Sequence, residues 1–102
     1  MLEQKIQNGI KMKQLILAHV IIGPTMNGKK FAVEKWQIIH VLNCNVATIS
    51  DDALLFQGAG TALKKATFAH NAIETLPPSM LTNCINLQVL NFANNKLKTT
   101  NE

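Results

Sequence analysis

An eleven-residue spacing returns four times along this chain, and it limits the possible folds more than any other feature. Near the C-terminus, LQVLNFANNKL (87–97) sets apolar residues at its first, fourth, sixth and eleventh places and asparagine at its ninth. Residues 63–73, LKKATFAHNAI, begin 24 residues earlier and keep the spacing with Leu63, Ala66, Phe68, Asn71 and Ile73. Another 27 residues back, WQIIHVLNCNV (36–46) supplies Trp36, Ile39, Val41, Cys44 and Val46, with cysteine in the asparagine place. A further 24 back, MKQLILAHVII (12–22) supplies Met12, Leu15, Leu17, Val20 and Ile22, with valine there instead. Self-similarity at such a period marks stacked supersecondary units, each burying its apolar face only against its neighbours.

Each place in the pattern has a physical task. The fourth and sixth residues lie on one side of a short strand, so Leu15/Leu17, Ile39/Val41, Ala66/Phe68 and Leu90/Phe92 should point into a shared core. The ninth residue follows the strand, where backbone groups outside the sheet need partners. An asparagine amide can supply both a donor and an acceptor to them. Asn71 and Asn95 are therefore expected to form a structural ladder, Cys44 to extend it more weakly, and Val20 to break it.

The connecting segments carry their own signals. ISDDALLFQGAGTA (49–62) offers Ser50 as N-cap, Asp51 and Asp52 for a first turn, and Gly58 or Gly60 as terminator, which predicts a short helix. In IETLPPSMLTNCIN (73–86), Pro77 and Pro78 bar regular strand or helix and predict an irregular or 3₁₀ turn, with Leu76, Met80, Leu81 and Cys84 inward. GPTMNGKKFAVEK (23–35) opens on a Gly-Pro turn and offers Phe31 and Val33 as core residues. LEQKIQNGI (2–10) has Leu2, Ile6 and Ile10 at helical spacing and reads as an N-terminal cap or as half of a further unit.

Over residues 12–97 the pattern resembles the leucine-rich-repeat family, most closely at 63–73 and 87–97. The resemblance implies an α/β solenoid with a short parallel sheet on its concave face and helices or irregular turns on its convex side. It implies one domain over 1–102, with a cap or partial repeat at 1–11, repeats at 12–35, 36–62 and 63–86, and an incomplete one at 87–102. It also implies a protein-binding or scaffolding module rather than an enzyme. A fragment of a larger receptor or scaffold is the competing reading, and a lysine-borne adaptor to RNA or an anionic membrane surface a lesser one.

Strand residues between the core positions would project from the concave face, the surface such solenoids use for binding. The candidate contacts are Gln14, Ile16, His19, Ile38, His40, Leu42, Asn43, Lys65, Thr67, His70, Val89, Asn91 and Asn94. Lys65 is the only formal charge in this set, which suits a protein or peptide rather than a nucleic acid. Ile16, Ile38, Leu42 and Val89 are large aliphatics at exposed strand places; they read either as a binding patch, or as shielding of the sheet edge or a slightly shifted register.

Composition narrows the function classes further. All ten of the Lys+Arg residues are lysine, so the formal charge of +4 comes without the bidentate donor that phosphate and base-edge recognition favours. One tryptophan and no tyrosine leave little for base stacking. Cys44 and Cys84 have neither metal-site spacing nor the density of a disulfide scaffold. His19 and His70 would stand two strands apart, roughly 10 Å, beyond the reach of one zinc with bonds of about 2.0–2.1 Å. No metal, cofactor or catalytic group is expected, because the carboxylates are scattered without a partnered base.

LILAHVIIG (15–23) follows three lysines as in a signal peptide but has His19 within it and no small-residue cleavage site after it. The expectation is therefore a cytoplasmic or nuclear protein without a membrane span. At the other end, Leu87, Leu90, Phe92 and Leu97 should line an open edge, with Thr100 where an apolar residue would fall. Self-association through that C-terminal edge, completion by a partner, or a truncated parent protein are the outcomes it raises.

Overall fold

A computed structural model describes residues 2–97 as a mixed α/β unit built on a parallel sheet. The main sheet has four strands, β1 (Gln14–Ala18), β3 (Ile38–Leu42), β5 (Lys65–Thr67) and β6 (Val89–Asn91), in the order β1-β3-β5-β6. A second sheet pairs β2 (Thr25–Asn27) with β4 (Thr48–Ser50), also in parallel. Parallel neighbours need crossover connections, and here these are α2 (Gly28–Phe31), α3 (Asp52–Ala59) and a 3₁₀ turn at Pro78–Leu81. Helix α1 (Leu2–Ile10) precedes β1 and packs on it.

Strand register decides which residues share a line across the sheet. Gln14 pairs with Ile38, Ile38 with Lys65, and Lys65 with Val89. Two residues further along, Ile16, His40, Thr67 and Asn91 form the next line. The intervening residues point the other way, into a core that includes Leu15, Leu17, Ile39, Val41, Ala66 and Phe68, all fully buried. Met26, Phe31, Trp36, Leu55, Phe56 and Leu63 close the same core from the connecting segments. Trp36 is entirely buried, and its Nε1–H donates to the Phe31 carbonyl at 2.8 Å, as a buried indole requires.

Several local expectations change in the structure. Ser50 does not cap α3, because its backbone is already engaged in β4 opposite Asn27. The helix starts at Asp52 behind Asp51, which adopts a left-handed conformation (φ 49°) and makes no side-chain capping bond. Gly60 ends it with φ 56°, a conformation glycine takes without a Cβ penalty. Leu76 and Leu81 face solvent, 39% and 72% exposed, while Pro77 is buried together with Met80 and Cys84. The extended backbone at Pro77 alternates its sides and turns Pro77 inward in place of Leu76. Val33 is 52% exposed, beyond the end of α2 at Phe31, while Phe31 and Trp36 on either side of it are buried.

Helix α1 buries Ile6 and half-buries Leu2 and Ile10, the face its periodicity defines. It lies close to the first strand: a Cβ on Gly9 would collide with the Gln14 carbonyl oxygen. Phe68 links the centre of the core to its far end, meeting Phe56 edge-on at 6.0 Å and Phe92 stacked at 5.4 Å.

Candidate interaction face

The face of the main sheet turned away from the core holds the residues singled out for binding. Ile16 and Val89 are each 44% exposed at opposite edges, and Ile38 and Leu42 are half-buried between them. Gln14 and His40 are half-buried too, while Lys65 and Asn91 are open to solvent. Thr67 departs from expectation: it is only 6% exposed and is withdrawn from any contact surface. It pairs with His40 on one side and Asn91 on the other, and its short side chain is overshadowed by both. Burial holds the His40 imidazole below the usual histidine pKa, and the Lys65 ammonium beside it lowers it further. The surface thus mixes four large aliphatics with polar side chains and one fixed cation.

Behind the strands, Asn71 makes five side-chain bonds to backbone. Its Oδ1 accepts the Cys44 and Val46 N–H groups at 2.9 and 3.1 Å. Its Nδ2 donates to the carbonyls of Val41, Phe68 and Ala69 at 2.9, 3.1 and 3.1 Å. Asn95 does the same one strand later, accepting from Ile73 N–H at 3.0 Å and donating to Phe68, Phe92 and Ala93 carbonyls. The Cys44 thiol stands in the equivalent place and donates weakly to the Leu17 and Leu42 carbonyls, at 3.6 and 3.3 Å. Burial raises its pKa, so it is a neutral, weak donor rather than a nucleophile.

His19, Asn43, His70 and Asn94, expected simply as contacts, have a backbone role that the sequence reading missed. All four are exposed and left-handed, with φ of 58°, 53°, 58° and 58°. In this conformation the N–H groups of His19, Asn43 and His70 donate to the carbonyls of Leu42, Ala69 and Ala93, at or just beyond the end of the next strand. Their side chains meet in pairs, Asn43 with His19 at 3.0 Å and Asn94 with His70 at 3.4 Å. Asparagine and histidine are among the non-glycine residues that enter this region most readily. Their recurrence one place before the ladder position was the available signal.

Among the described residues no group of three His, Cys, Asp or Glu side chains is placed to hold a metal ion. Glu34 hydrogen-bonds the Lys13 ammonium at 2.6 Å, which holds its carboxyl below the usual range. No described helix is long and apolar enough to cross a membrane. No family model, curated protein or solved structure matches the chain.

Proposed function

We propose that this chain is a leucine-rich-repeat interaction module that binds a partner protein or peptide through the open face of its main sheet. One observation carries the reading: Ile16, Ile38 and Leu42 on the neighbouring strands β1 and β3 leave aliphatic surface accessible, with Lys65, between Ile38 and Val89, the only formal charge among the candidate contacts. Isolated exposed aliphatics are ordinary, but several on neighbouring strands, interleaved with polar groups, are what protein-binding surfaces present. The four-strand parallel register and the asparagine bonds behind it support the family resemblance, with the sheet acting as a rigid platform.

The test is differential capture followed by direct binding. Wild-type protein and the Ile38→Glu and Leu42→Glu variants would be used as bait on the same extract. A partner retained by wild type should bind each variant at least roughly tenfold more weakly, a loss of about 1.4 kcal/mol, with an unchanged circular dichroism spectrum. Equal binding by all three proteins removes the face from the reading.

A further inference from the structure

We infer that the partner bound on the open sheet face is an acidic peptide segment, and that it sets a carboxylate into a groove between α1 and β1 beside Lys5. This rests on the partner-face reading and adds to it a residue that lies outside the strands. The groove holds about 260 Å³ and is lined by Lys5, Asn8 and Gly9 of α1, by Met12, and by Gln14 and Ile16 of β1. Gln14 and Ile16 also belong to the open face, so groove and face are one continuous surface.

The charged and polar groups of this surface suit an anion. Lys5 is exposed and has no carboxylate partner among the described residues, unlike Lys13, whose ammonium is held by Glu34. Lys65 is unpaired in the same sense. Asn8 accepts the Gln4 amide through its Oδ1 at 2.9 Å, which leaves its own amide N–H groups as donors. No acidic residue lines the groove, and none lies in β1, β3, β5 or β6. The apolar wall is open as well, with Met12 63% and Ile16 44% exposed.

Strand register gives the spacing of the two cations. Gln14, Ile38 and Lys65 stand in one line on successive strands, so Lys65 lies two strand spacings, roughly 10 Å, from the groove wall. An extended chain advances about 3.3 Å a residue, so a second acidic residue meets Lys65 when it follows the first by three or more places, with aliphatic side chains between them over Ile16 and Ile38. Unpaired charge of one sign at both ends of aliphatic ground attracts a partner of the opposite sign and rejects a basic one. Two lysines without arginine offer little to a nucleic acid, whose binding grows with the number of phosphates neutralised.

Selection from a random-peptide display library on the intact chain tests the inference, since such a library holds acidic, neutral and basic peptides alike. Selected peptides should carry Asp or Glu beside aliphatic residues. Lys5→Glu should bind them roughly three- to tenfold more weakly, because an exposed attraction becomes a repulsion, and selection on that variant should lose the acidic preference. Lys65→Glu should weaken peptides with a second acidic residue more than those with one. Lys30→Glu makes the same charge change on α2, beside Phe31 and Ile21 in a separate pocket, and should leave affinity unchanged. Peptides lost on Ile38→Glu that show no acidic preference, or that ignore Lys5→Glu, would overturn this inference and leave the partner face standing. Peptides indifferent to both Ile38→Glu and Leu42→Glu, or no selected peptide at all, would remove the face and this inference with it. Retention of single-stranded RNA in place of acidic peptides would overturn it in favour of a phosphate backbone.

Discussion

The two ends of the main sheet use similar amounts of apolar sequence and dispose of it differently. At the β1 end, Leu2, Ile6 and Ile10 of α1 turn onto the core and leave Glu3, Gln4, Lys5, Gln7 and Asn8 outside. At the β6 end, Leu90 occupies a strand place equivalent to Leu15, yet it is 39% exposed whereas Leu15 is fully buried. The residues are alike; the neighbour is not. Side-chain burial at a sheet edge is thus a property of what lies next to the strand.

Truncation at the two ends should separate them most. Ile6→Ala removes a side chain packed between α1 and the core and should cost about 2–4 kcal/mol in urea unfolding. Leu90→Ala in dilute protein should cost less than about 1 kcal/mol, since its side chain is already partly in water. Equal losses would abolish the contrast between a covered and an uncovered end.

The asparagines sharpen the same comparison. Asn71→Ala leaves the Cys44 and Val46 N–H groups without their acceptor and should lower stability by about 1–3 kcal/mol. Asn95→Ala frees only the Ile73 N–H and lies nearer the uncovered end, so its effect should sit at about 1 kcal/mol. Thermal melts of both variants check the order, and a larger loss at Asn95 would reverse it.

Next come the left-handed turns. Asn94→Ala should destabilise by about 1 kcal/mol because φ is 58° there, while Asn94→Gly should be near neutral or better. Indistinguishable melts for the two variants would mean that the turn relaxes at this end.

The smallest effect is electrostatic. His40 has a folded pKa below its ordinary 6.5, so the unfolded chain binds the proton more readily. Stability should be full above about pH 6.5 and decline as pH falls through the folded value. His40→Gln should flatten that slope in a pH series of unfolding midpoints. An unchanged slope would assign the acid sensitivity elsewhere.

Much of the arrangement was legible because it is locally encoded. Alternation of side chains along a strand is covalent geometry, so the spacing of Leu15, Ile39, Ala66 and Leu90 was enough to say which residues share a side. Proline chemistry likewise announced the 3₁₀ turn at Pro78–Leu81, and the 2–10 periodicity announced α1. Asparagine at positions 71 and 95 pointed to a backbone-bonding role because its amide both donates and accepts.

Other features were settled only by neighbours in space. Thr67 is buried because His40 and Asn91 flank it, and no property of threonine says so. Pro77 rather than Leu76 turns inward, and Val33 stays outside while Trp36 is buried. Ser50 loses its capping task to strand pairing with Asn27. The sequence by itself determined which side of each strand is apolar and where its turns fall, since those depend on residues a few places apart. Only the tertiary structure decided which apolar residues are covered, because the nearest atoms to any side chain come from segments distant along the chain.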